Sequence, residues 1–316
     1  MLSRVAENIY WLARYVERAE NTARLVRVNS HLVLDTPSGI TPGWDPLVDI
    51  TGLRNQFEKI EREPNERNVV RFLIGDAHNS GSIISSLAAA RENCRTVREV
   101  LPRSSWEKLN ELYLFAKENI QLGLTKGGRD NFLDGIITGS QQITGLLGSV
   151  MYRDEAWHFA RIGRNLERAD MTTRIIDVRS TDLFPNDLLE SRSLDTLQWI
   201  SVLRSMSGYQ IYRRHVAIRV NRTDVLNFLF HDSSFPRSFL HCINAVDESI
   251  AGLDNTGPAL RSIRALKRKL RQINVGEMNQ ASLHEFIDEL QIGIIELHGG
   301  LAEAYFPPPL VLEEAV

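Results

Sequence analysis

"RYVERAENTAR" (residues 14–24) and "RNLERADMTTR" (residues 164–174) decide how this chain is read. Aligned 150 residues apart, they share Arg14/Arg164, Glu17/Glu167, Arg18/Arg168, Ala19/Ala169, Thr22/Thr172 and Arg24/Arg174, with an acid at Glu20 and Asp170. Each rides on an apolar repeat of helical period. Val5, Ile9, Leu12, Val16, Ala19, Ala23 and Val26 step by four and three, and Phe159, Ile162, Leu166, Ala169 and Ile176 repeat the seam. Both stretches are predicted to be long helices. At about 100° per residue, Tyr10, Arg14, Glu17, Arg18 and Asn21 gather on one side, nearly opposite the seam.

Three roles stand open for the charged side. A solvated face gains about 0.3–0.5 kcal/mol per ion pair. It has no reason to keep the same order of charges twice. Arg14 and Arg18, four residues apart and alike in sign, repel on an isolated helix unless an anion satisfies both. The second role is structural: the two helices abut at Ala19 and Ala169, and Glu17 with Arg168, and Glu167 with Arg18, form a reciprocal buried network. The planar fork of arginine suits such pairing, which specifies partners more than it stabilises. The third is a cleft whose surplus guanidinium groups hold an anionic ligand, such as a phosphate, acyl phosphate or peptide carboxylate. The residues of this network or site are Arg14, Glu17, Arg18, Glu20, Asn21, Arg24, Arg164, Glu167, Arg168, Asp170 and Arg174.

The repeat extends along the chain. "FLIGDAHNSGSIISSLAAARE" (72–92) aligns with "FLFHDSSFPRSFLHCINAVDE" (228–248), and "FLDGIITGSQQITGLLG" (132–148) with "FIDELQIGIIELHGGLA" (286–302). Strand-like alternation is scarce. The expected fold is all-α: a duplicated helical bundle of roughly a dozen helices, in two pseudo-symmetric halves of about six. Residues 1–150 form the first repeat and 151–306 the second, packed as one compact unit by analogy with isologous dimers. Residues 307–316 form a Pro-rich tail, read either as a frayed end or as a docking strap.

A chain of 316 residues with 43% hydrophobic content can bury a large core, and a formal net charge of −3 argues against a general nucleic-acid or anionic-membrane binder. The N-terminal stretch lacks the apolar run of a signal peptide, and no run reaches the roughly 20 apolar residues of a membrane helix. Cys94 and Cys242 give no disulfide framework and read as buried hydrophobes. The expected setting is cytoplasmic. "TKGGRD" (125–130) lacks phosphate-loop spacing and reads as a turn. Arg91, Arg95 and Arg98 share a helix face and are a candidate second wall of the anion site, with Trp157, His158 and Arg161; the bland alternatives are a solvated face for the arginines, a core position for Trp157 and an internal polar pocket for His158. Glu155 and His158 have the Glu-x-x-His spacing of di-iron bundles, but only once, so no metal and no cofactor is expected. The basic helix "RSIRALKRKLR" (261–271) has no aromatic residue for stacking on nucleic acid and reads either as a solvated face or as a docking surface for an acidic partner.

The paired "ERAE" and "ERAD" helices, "RNVVRFL" (67–73), "AARENCRTVRE" (89–99), "RDEAWHFARIGRNLERADMTTRIID" (153–177) and "FPRS" (235–238) resemble the Alpha-E domain family, over nearly the whole chain. The resemblance implies an all-helical bacterial protein encoded beside, or fused to, circularly permuted ATP-grasp proteins, often with a transglutaminase-like peptidase. It places the Glu-Arg motif at Glu17–Arg18 and Glu167–Arg168. The implied partners are an ATP-grasp protein and an acidic peptide or carboxylate ligand. The leading expectation is a non-catalytic auxiliary subunit of an amide-ligase system. The alternative is an enzyme in which Glu17 or Glu167 is the acid/base and Arg18 or Arg168 steadies an oxyanion. A metal-dependent bundle enzyme is a third reading.

Overall fold

The first and ninth helices organise the computed structural model, which describes residues 1–36, 42–60, 63–179, 192–254 and 256–306. Among them the regular elements are fifteen α-helices: α1 (Ser3–Asp35), α2 (Asp45–Ile50), α3 (Arg54–Lys59), α4 (Glu66–Gly75), α5 (Ile83–Thr96), α6 (Arg103–Glu118), α7 (Ile120–Leu124), α8 (Lys126–Val150), α9 (Glu155–Arg179), α10 (Arg192–Ser205), α11 (Tyr209–His215), α12 (Arg222–His231), α13 (Phe239–Ile250), α14 (Gly257–Gln272) and α15 (Gln280–Tyr305). The excess over a dozen comes from α3, α7 and α11, each two turns or less and too short to show a period. The Pro-rich tail lies outside the described residues.

Among the described residues, six helix starts carry side-chain caps. Asn65 accepts from the Asn68 N–H, Ser82 from Ser85 and Thr125 from Gly128. In the second half Asn221 accepts from Asp224, Ser238 from His241 and Asn279 from Ser282. Each such cap contributes about 1 kcal/mol. These capping residues recur at the spacing of the sequence repeat. The cap at Thr125 corrects the reading of "TKGGRD": only Thr125 is outside the helix, and Lys126 onward is the first turn of α8.

α1 and α9 pack side by side and run in the same direction. Toward their starts the Met1 amino group meets Glu155 at 2.6 Å; further along, Tyr10 meets Gly163, and Glu17 meets Arg168. α5 and α8 flank α1, whereas α13 and α15 flank α9; α6 packs on α5 and α8, and α14 on α13 and α15. The short α2 packs on α9, and α10 on α1, so each half reaches across to the other's long helix.

Through its middle α1 is buried on both sides. The apolar seam is enclosed, and so are Arg14, Glu17, Glu20 and Asn21. The charged side therefore faces α9 and its neighbours, not water.

Gly163 sets the closeness of the pair. A Cβ on Gly163 would lie 2.3 Å from the Tyr10 carbonyl oxygen. Backbone cannot yield as a side chain can, so the G163A variant should lose about 1–3 kcal/mol in urea unfolding. The G145A variant, also in a helix but with nothing within 4 Å of its new Cβ, should instead gain up to about 1 kcal/mol.

Candidate functional site: paired Glu-Arg motifs and the pocket beside them

Each motif glutamate is gripped by arginines of the opposite half. Around Glu167, Arg14 donates from Nε to Oε2 at 2.7 Å, and Arg18 donates from Nε to Oε1 at 2.6 Å and from Nη2 to Oε2 at 3.0 Å. Arg14 also donates to the Tyr10 hydroxyl at 3.1 Å, which lies 2.8 Å from His298 Nδ1. One turn on, Asp170 accepts from Arg174 Nε at 3.0 Å. Around Glu17, the ion-pair contacts to Oε1 are Arg168 Nε and Arg237 Nη1, both at 2.9 Å. Arg237 reaches further, to Asn21 at 2.6 Å and Glu20 at 2.8 Å. Glu20 is also held by Arg24, whose Nη1 donates to Ser207 Oγ at 2.6 Å. The structure thus joins Glu17 to Arg168 and Glu167 to Arg18, with Ala19 and Ala169 fully enclosed.

The two clusters differ in one substitution of partner. Arg164 corresponds to Arg14, yet its Nε is buried with no hydrogen-bond partner. Arg237, from the loop before α13, takes the corresponding place at Glu17. Sequence reasoning reached Arg237 only inside "FPRS" and gave it no role. The signal was there: Arg237 stands 156 residues after Gly81, at the spacing that aligns the two segments.

Burial and pairing set the charges. Burial on its own raises the Glu167 pKa, but Arg18 and Arg14 outweigh it and hold the carboxyl at about 2, below the usual 4.5. Glu17 is lowered in the same way, burial being overcome by Arg168 and Arg237. Asp170 moves the other way: burial raises its pKa, and Arg174 only partly opposes this. Carboxylates locked as counter-charges are poor proton carriers near neutral pH. Burial pushes both thiols, Cys94 and Cys242, up to about 12, so neither is a ready nucleophile.

A cavity of about 220 Å³ opens beside Glu167, lined by Arg14, Arg18, Thr22, Ser80, Gly81 and Arg174, among others. Arg174 also lies over Gly52, where a Cβ would be 2.5 Å from Nη1; Gly52 has φ +70°.

The remaining candidates divide: Trp157 and Arg161 line a small cavity together with Arg164, Ala13 and Val16, whereas the α5 arginines lie apart. Arg91, Arg95 and Arg98 do share a face of α5, but it is turned from α1. Arg91 donates to Asn110 of α6 at 2.7 Å and sits over the Trp106 and Tyr113 rings, Arg95 pairs with Glu92, and Arg98 is exposed. They form no wall of the motif cluster. Trp157 is half-buried, packed against the edge of the core between Arg153 and Arg161 and edge-on to His158. Arg161 pairs with Glu248 at 2.5 Å. Burial and Arg161 lower the His158 pKa. Glu155 holds the Met1 amino group, and no three His, Cys, Asp or Glu side chains converge as metal ligands among the described residues. Arg261, Arg264, Arg268 and Arg271 on α14 are exposed. Among the described residues no helix is long and apolar enough to cross a membrane.

Comparison with known proteins agrees with the all-helical fold. The Alpha-E model, described as "a predicted alpha-helical domain with a conserved ER motif", matches residues 1–306. Uncharacterized proteins of Mycobacterium bovis and Mycobacterium tuberculosis are 22% identical over 325 residues, covering 95% of this chain and 36% of theirs. The chain thus spans about a third of the length of these relatives. No solved structure matches.

A carboxyl whose folded pKa is depressed stabilises the fold above its unfolded pKa, and the stabilisation fades as pH falls through the folded value. Urea unfolding free energy should therefore drop between about pH 4.5 and about pH 2 as Glu167 takes up a proton. The E167Q variant, which leaves Arg14 and Arg18 without their anion, should lose about 3–5 kcal/mol at pH 7 and flatten that acid limb.

Proposed function

Since the chain belongs to the Alpha-E family, we propose that it acts as a non-catalytic helical subunit of an ATP-grasp amide-ligase system, in the cytoplasm. In this role it holds an acidic peptide, a carboxylate ligand or the ATP-grasp partner itself, while the ligase performs the chemistry. One observation carries this reading: both motif glutamates are enclosed and held ionised by arginines, while guanidinium groups of the same cluster line an open cavity. A cluster so arranged is built to hold an anion and keep its own charges fixed. An acid/base role for Glu17 or Glu167 would need a carboxyl that exchanges its proton near pH 7, and pairing with arginine works against that. The greater length of the mycobacterial relatives fits a chain that works beside other domains.

Purification of the tagged full chain from cells that make it, with co-eluting proteins identified by mass spectrometry, checks the proposal. The expected result is an ATP-grasp protein in stoichiometric amount, with ligation lost when this chain is removed and restored when it is added back. A chain that elutes alone, and a ligase that works fully without it, would overturn the reading.

A further inference from the structure

The two motif clusters come from matching segments, yet one is plugged and the other open. In the Glu17 cluster the Arg237 side chain fills the space beside the glutamate and reaches Glu20 and Asn21. The aligned residue in the other half is Gly81, which has no side chain to send, and there the 220 Å³ cavity remains. A second exchange accompanies the first. Gly208 makes room around Phe228 and Phe235 in the second half, whereas Leu53, aligned with it, lines the open cavity.

The open cavity also holds an orphaned polar group. Thr172 Oγ1 donates to the Arg237 carbonyl at 2.9 Å. Its counterpart Thr22 lines the cavity, is 1% exposed, and its Oγ1 has no hydrogen-bond partner. A buried hydroxyl left unsatisfied costs free energy that a ligand oxygen would recover. Ser80 and Gly81 lead into the capped N-terminus of the 14-residue α5, the positive end of that helix.

We propose that the cavity between Thr22, Gly81, Arg18 and Arg174 is a binding site for a single carboxylate, borne by a small acid or by the end or side chain of a peptide. This deepens the binding-subunit reading above and rests on it. Charge selects the class. Three guanidinium groups, Arg14, Arg18 and Arg174, face two carboxylates, Glu167 and Asp170, so one positive charge is in excess. That matches a monoanion, whereas a phosphate dianion would be under-neutralised and would crowd Asp170. Size agrees, because the cavity falls below the roughly 300–1,000 Å³ that houses drug-sized ligands. At the Glu17 cluster Arg237 occupies the place that the ligand would take at Gly81's side.

The test is calorimetry and thermal unfolding of the full chain with glutarate, N-acetylglutamate and inorganic phosphate, ionic strength held constant with chloride. Saturable binding of a carboxylate is expected. The G81R variant, which copies the plugged cluster, should abolish it. The T22V variant should unfold no earlier than the wild type when free, having lost an unsatisfied hydroxyl, yet bind about tenfold more weakly. T22V keeps the test decisive should the side chain added in G81R clash with Leu53 and prevent folding. Carboxylate binding that survives T22V and R174Q unchanged, binding of phosphate alone, or no saturable binding would each overturn the assignment. The ligase-complex experiment is read independently: a chain that binds carboxylates but captures no ATP-grasp protein keeps the site and loses the partner.

Discussion

Two carboxylates exchanged between two helices are the constraint on which the rest of this structure depends. α1 lends Glu17 to Arg168, and α9 lends Glu167 to Arg14 and Arg18. Enclosing these charges is expensive, and an apolar seam of equal volume would be as stable or more so. What the charges supply is register. Tyr10 sits at Gly163 and Glu17 at Arg168; a slip of one helical turn would set guanidinium groups against each other and a carbonyl against a side chain. Once α1 and α9 are fixed, each flanking helix has one place to bury its apolar face.

The second consequence is the unequal use of two similar clusters. Arg237 displaces Arg164 from Glu17, and Arg164 is left with a buried, unpartnered Nε beside Arg161 and Arg168; burial and these two like charges lower its pKa. The Gly81 side has no such insertion. There Arg14 of α1 itself joins Arg18 in pairing Glu167, and the loop leaves a cavity. Two segments alike in sequence can in this way enclose one cluster and leave a cavity beside the other.

Much of this was legible in the sequence. The charged order repeated in residues 14–24 and 164–174 already named the carboxylates and guanidinium groups that meet. Capping residues such as Ser82 and Ser238, which stand at matching places in the two aligned segments, were a further signal, one that helical periodicity does not carry. Three things were not legible. Arg237 contributes from a loop, and periodicity carries no information about where a loop residue reaches. The direction in which α5 presents Arg91, Arg95 and Arg98 depends on which face its neighbours cover, which spacing alone does not fix. Gly163 and Gly81 matter for the side chains they lack, and their weight appears only when the Tyr10 carbonyl and the open cavity stand beside them.

The most direct measurement is a double-mutant cycle across the helix pair, with Arg18→Met and Glu167→Gln singly and together, read by urea unfolding at pH 7 and repeated at about pH 2.5. If exchange of charge between α1 and α9 holds the register, the two changes are coupled by about 1–3 kcal/mol at pH 7, and the coupling shrinks at the lower pH, where protonation of Glu167 begins to compete. Additivity to within about 0.5 kcal/mol at both pH values would contradict it, and would return the organising role to the apolar seam alone.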